Sequence, residues 1–315
     1  MQENEVIIVD QIEDEKYHSL VKKSVEYAII SLPFTVDRMR IPNENHRALN
    51  IAKGKVAESL FQHFCEINHI EVDFTTPSTP FWTVDKRDFL MNNSEWDLKN
   101  NFIYLKGDYL TQYRYIDLPA LIPNVREGDQ WSKRNKLLFD RSIRADFLFT
   151  FLKNADLQQK KRGKPFIEIQ LTNDQITFLR KLYKKYKGQP QDQAPFSEDA
   201  FWREMAKHGD LNFYQLRFKP ALVITGYANS NHWHLFKNIG PYEQNFNLQD
   251  YKNPHWYVKN QKGSCNFLED TLWTRITNAV TPVSNLPAFS SLFPQLKEQM
   301  KGGRFIGKFR SRGKL

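Results

Sequence analysis

The sequence predicts an α/β (or α+β) protein built on one central mixed sheet flanked by helices. Three observations predict it. Two amphipathic helical stretches lie near the front of the chain, short strand-like runs follow, and a helix with a basic face separates the later apolar runs; such alternation is the layering that covers a sheet. Aromatic residues reach 14%, with 24 Phe and 13 Tyr, a load that suits a strand-rich core. Hydrophobic residues at 40% and charged residues at 26% allow a packed interior and argue against gross disorder. The 315 residues suffice for one large domain or two small ones. The expected division is a core with N-terminal helices over 1–240 and a C-terminal extension over 241–315.

In chain order, residues 17–32 place Leu20, Val21, Val25, Ala28 and Ile29 on one helical face, and 33–45, with Pro33 and Pro42, read as a connector. The clearest helix is 46–68, where Leu49, Val56, Leu60, Phe64 and Ile67 recur at about 3.6 residues. Residues 70–74 (IEVDF) alternate as a strand does, and Pro77 and Pro80 end that run. Residues 87–91 (RDFLM) and 95–99 (EWDLK) read as two strands of a hairpin turning at Asn92-Asn93-Ser94. Further strands are expected at 143–153, 165–171 and 220–227, with a basic helix at 173–187 and a loop at 188–198. Residues 106–142 look polar and irregular, and 240–295 show few clear periods.

The formal net charge is +9 and the pI about 9.3. Such a surface attracts polyanions, and nucleic acid fits best because phosphate neutralisation drives its affinity. Cys65 and Cys265 are not in a CxxC pair, which argues against a zinc site or a disulfide framework. The acidic lead MQENEVIIVDQIEDEK and the lack of an apolar run near ~18 residues predict neither a signal peptide nor a membrane span, so a reducing cytoplasm is the expected compartment.

The chemistry-bearing residues cluster near the hairpin. Side chains at i and i+2 of a strand share a face, so Asp97 and Lys99 project together while Trp96 and Leu98 face the other way. Asp88 stands on the neighbouring strand, and Glu58 lies on the preceding helix. Hard carboxylate oxygens suit Mg²⁺, which polarises a scissile phosphate and acidifies a water. The stretch 54–99 (GKVAESLFQHF, IEVDF, RDFLMNNSEWDLK) resembles the PD-(D/E)xK nuclease superfamily, in the manner of type II restriction endonucleases. The resemblance implies a restriction-endonuclease-like core and a catalytic set of Glu58, Asp88, Asp97 and Lys99, with Mg²⁺ on Asp88 and Asp97 and product ends carrying 5′-phosphate. Arg87 stands where the proline of the name would be. The bare (D/E)xK pattern occurs three times, at Asp14–Lys16, Asp97–Lys99 and Asp250–Lys252, and Asp97 alone has a strand Asp and a Glu-bearing helix upstream.

A rival set is Asp146 in RADFLF with Glu168 and Gln170 in FIEIQL, where Gln would stand in for the lysine. Charged groups in such apolar strands need a cation or a partner, and Arg144 or Lys164 would be that partner. His232 and His234 (HWH) would share a strand face, without an apparent third ligand. No Walker-type loop, GxSxG or Cys/His pairing is present, so no nucleotide cofactor or covalent nucleophile is expected.

DNA contacts are expected from Lys160, Lys161, Arg162 and Lys164, from the helix carrying Lys184 and Lys185, and from the tail with Arg304, Arg310 and Arg312. The reading is a Mg²⁺-dependent endonuclease of double-stranded DNA, type II-like and site-specific. A repair, recombination or transposition nuclease of the same fold, and a non-catalytic DNA-binding protein, are the alternatives. A homodimer is compatible with symmetric DNA sites.

Overall fold

The computed structural model describes residues 1–39, 43–78, 80–83, 87–105, 115–123, 145–156, 165–187, 193–239, 256–259, 264–267, 272–273, 278–296 and 310–311. It is a mixed α/β protein. In chain order the elements are β1 (Ile7–Val9), α1 (Asp14–Met39), α2 (Glu44–Ile67), β2 (Phe89–Met91), β3 (Ser94–Leu105), β4 (Pro119–Pro123), β5 (Ala145–Asp156), β6 (Ile167–Ile169), α3 (Asn173–Tyr186), α4 (Glu198–Ala206), β7 (Tyr214–Leu216), β8 (Leu222–Ala228), β9 (Lys237–Ile239), β10 (Trp256–Lys259), β11 (Ser264–Phe267), β12 (Leu272–Trp273), β13 (Asn278–Pro282) and β14 (Arg310–Ser311). They divide into two compact units, one of residues 1–11, 90–164 and 220–315, the other of 12–89 and 165–219.

The first unit is built on a six-stranded sheet in the order β14-β1-β8-β5-β3-β2. The sheet is mixed: β3 and β5 run parallel, while β5–β8 and β8–β1 are antiparallel. Residues Asn92 and Asn93 have φ of 51° and 58°, the left-handed geometry of a two-residue hairpin turn, which asparagine tolerates better than other side chains. The hairpin read from the sequence therefore forms, with its turn shortened to those two residues. Phe147, Phe149 and Phe151 alternate down β5 and pack with Ile8, Val223, Trp233 and Phe236 in the core. A second sheet, β4-β13-β9, adds Ala120, Ile122 and Ala279 to this cluster, and β10-β11-β12 form a third.

The second unit packs α1 against α2 and α3, with the small sheet β6-β7 against both long helices. Tyr17, Val21, Val25, Ala28 and Leu32 form the buried stripe of α1, and Val56, Leu60 and Phe64 that of α2. Caps set the helix starts. Asn43 accepts from the His46 N–H at 2.8 Å, and Thr172 and Gln175 form a reciprocal capping box on α3.

Several elements depart from the sequence reading. Pro33 lies inside α1 rather than opening a connector. It forfeits one backbone hydrogen bond, and the buried Ile29, Ile30 and Leu32 just before it anchor the helix there. Residues 70–74 form no extended strand. Asp73 instead accepts from the backbone N–H groups of Thr75 and Thr76 in a tight turn, and the side chains of Thr76 and Thr75, together with these backbone bonds, hold its carboxyl well below the usual range. The acidic lead contains a buried strand, β1, because its four-residue VIIV run pairs with β8. Ser230–Leu235 is a 3-10 turn, so His232 and His234 are not on a strand.

Gly226 on β8 is a close backbone approach in the first unit. A Cβ there would meet the Leu286 Cβ at 2.9 Å and the Pro287 carbonyl at 3.0 Å. Gly226→Ala is expected to cost about 1–3 kcal/mol by overpacking. Urea unfolding checks it: a lower midpoint at unchanged slope is the expected result.

Candidate functional site

Asp97 and Lys99 sit on β3, in the interior of the six-stranded sheet. Asp97 is 5% exposed, and Lys99 Nζ donates to its Oδ1 at 2.5 Å. The parallel register sets Asp97 beside Phe147 and Lys99 beside Phe149, and the Lys99 ammonium lies 5.4 Å from the centre of the Phe147 ring. The pair thus occupies an apolar face, where each charge leans on the other and the ring face adds a cation–π contact. Trp96 and Leu98 are buried on the opposite face, with the Trp96 indole donating to the Met91 carbonyl at 3.0 Å.

Glu58 and Asp88 meet in the second unit. Both line an open cleft of about 240 Å³ together with Lys23, Lys55 and Arg87. Lys55 Nζ donates to Glu58 Oε2 at 2.7 Å, and the same ammonium sits 4.9 Å from the Tyr27 ring centre. The sequence reading did not single out Lys23, Tyr27 or Lys55. Their signal was present as a polar stripe, Lys55, Glu58, Ser59 and Gln62, at i, i+3, i+4 and i+7 of α2.

The rival residues are not on neighbouring strands. Asp146 is on β5, and its register partner is Trp96, so it projects from the face opposite to Asp97 and Lys99. Glu168 is on β6, in the separate two-stranded sheet of the second unit. There it is ion-paired with Arg217; the Arg144 and Lys164 expected from sequence lie outside the described residues. Gln170 is exposed, and its backbone N–H donates to the Phe213 carbonyl at 2.8 Å.

Lys184 and Lys185 are exposed on α3, and the Lys185 ammonium lies 5.1 Å from the Tyr186 ring centre. Lys160, Lys161, Arg162, Lys164, Arg304 and Arg312 lie outside the described residues, as does Arg144. Arg310 is placed by its backbone, opposite Ile8. The His232 Nδ1 accepts from the Asn229 N–H at 3.2 Å, and burial together with the charge of His234 lowers its pKa. Among the described residues no three His, Cys, Asp or Glu side chains converge as metal ligands. No helix among them is long and apolar enough to cross a membrane. No family model, curated protein or solved structure matches this chain.

Charged groups are also held on the helices of the second unit away from the cleft lining. Arg180 grips Glu44 with two hydrogen bonds, of 2.8 and 3.1 Å. Burial pushes the Glu44 carboxyl up, but those bonds, its own backbone and Arg47 outweigh it and leave the pKa lowered. Lys53 on α2 is 4% exposed, and burial pulls its ammonium down from 10.5 to about 8. Between those values the unfolded chain holds a proton that the folded chain has released, so this group makes stability rise with pH there. Lys53→Met removes that dependence. The variant is expected to gain roughly 2–3 kcal/mol over the parent at pH 7, and the gain should shrink towards pH 10.5. Urea midpoints at several pH values check this, and a pH-independent gain would contradict it.

Proposed function

We propose that this chain is a Mg²⁺-dependent endonuclease of double-stranded DNA with a restriction-endonuclease-like core, type II-like and site-specific. The observation that carries the reading is Asp97 and Lys99. They are two residues apart on one face of an interior strand, bonded to each other on an apolar floor, just after a hairpin turn. A buried carboxylate beside an ammonium is an arrangement that active sites use and that a solvent-facing hairpin edge has no need of. The parallel partner strand β5 and the antiparallel β8 beyond it make a mixed sheet, which agrees with the core that the resemblance implies.

Asp97 suits magnesium, since it offers hard carboxylate oxygens and this ion takes one or two protein carboxylates. Bound there, the ion would polarise the scissile phosphate and lower the pKa of the attacking water. Lys99 orients the Asp97 carboxylate through its hydrogen bond, and an ammonium has further N–H donors that can steady a phosphate oxygen or the water. The exposed lysines of α3 would contact the DNA backbone without reading sequence.

Incubating purified protein with plasmid and phage DNA, with Mg²⁺ or EDTA, tests this. Discrete fragments that need Mg²⁺ are expected. Asp97→Ala and Lys99→Ala should each lower the cleavage rate by at least about 10²-fold, while Glu168→Ala should leave it unchanged. A smear would favour a repair or recombination nuclease. DNA binding without cutting would overturn the enzyme reading in favour of a DNA-binding protein.

A further inference from the structure

The cleft on the second unit has a composition that the nuclease reading does not account for. Cations outnumber carboxylates in it: Lys23 from α1, Lys55 from α2 and Arg87 from the segment before β2, against Glu58 and Asp88. They reach the cleft from three separate pieces of chain. Helix–helix seams are normally apolar, because burying polar groups between helices costs free energy unless they are satisfied. Here the α1–α2 seam widens into a polar opening, with Tyr27 and Ser59 among the residues of its walls. Ser24 uses its proton on the Leu20 carbonyl at 2.8 Å, and its oxygen lies 3.4 Å from that of Ser59. The hydroxyls are thus pre-oriented rather than left to solvent.

Donors converging from several directions, with an excess of positive charge, match a tetrahedral oxyanion. A planar guanidinium such as Arg87 suits two oxygens of one phosphate. We propose that this cleft is a phosphate-binding subsite for a nucleic acid strand, with Lys23 and Arg87 as the charge contacts. Lys55 is already engaged by Glu58 and acts by holding that carboxylate away from the ligand. The choice of a nucleic acid as the bearer of the phosphate rests on the nuclease reading and on the chain's net charge of +9; the anion chemistry of the cleft does not.

Binding of a fluorescent DNA duplex, measured by anisotropy in EDTA over a series of salt concentrations, tests the subsite apart from catalysis. Lys23→Ala and Arg87→Ala are each expected to weaken binding about tenfold. Each should also reduce the slope of log K against log salt by about one, which a purely structural role would not do. Arg87→Lys should keep the slope, and Lys22→Ala, one residue away on α1, should change neither quantity. Unchanged affinity and slope in both alanine variants would overturn the proposal even if the protein cuts DNA. Loss of slope in them would sustain it even if no cutting is found. A wild-type protein that binds no DNA would overturn it together with the nuclease reading.

Discussion

Burying Asp97 and Lys99 side by side on an interior strand carries a desolvation cost that only mutual contact and close surroundings offset. The bond of 2.5 Å between them meets the first need, and the rings of β5 meet the second by excluding water and presenting the Phe147 face to the ammonium. Register is then critical. A one-residue slip of β3 would carry Asp97 to the face now held by Trp96 and Leu98. The Asn92–Asn93 turn fixes the hairpin's count, and the Trp96 indole bond to the Met91 carbonyl ties the two strands together near that turn. Phe-rich β5 beneath and the turn at the end of the strand therefore serve one requirement, a carboxylate and an ammonium kept together out of water.

The helical unit meets a different constraint. Its long helices bury continuous apolar stripes, yet α2 also carries Lys53, Arg47 and Glu44 inward. Such groups reduce stability unless they are paired. Glu44 is paired with Arg180, so α3 is pinned to the start of α2 by charge as well as by packing. The polar stripe of Lys55, Glu58, Ser59 and Gln62 runs along the same helix and opens the cleft. Helix α2 thus has an apolar face that holds the unit together and a polar edge that lines the cleft.

Much of this was legible in the sequence, where period and punctuation are local. The apolar periods of α1 and α2 and the Asn-rich hairpin turn needed no tertiary information. Elements decided by partners were not legible. β1 is three residues long and is a strand because β8 lies beside it, and HWH reads as a strand until the Asn229 cap winds it into a turn. The i, i+2 spacing gave the shared face of Asp97 and Lys99, but sequence could not show that Asp146 projects from the other face, since that depends on the β3–β5 register. Nor could it pair Glu168 with Arg217, which is brought alongside by the β6–β7 ladder.

The central claim is that the Asp97–Lys99 pair belongs to a divalent-cation site. Terbium(III), an oxygen-seeking stand-in for such ions, luminesces when an indole close by passes energy to it, and Trp96 is the residue next to Asp97. Titrating the DNA-free protein with terbium while exciting tryptophan measures the site directly. The account predicts sensitised emission that saturates, is displaced by Mg²⁺, and is lost in Asp97→Asn at unchanged secondary structure. Emission that is identical in the parent and Asp97→Asn, or absent from both, would contradict it.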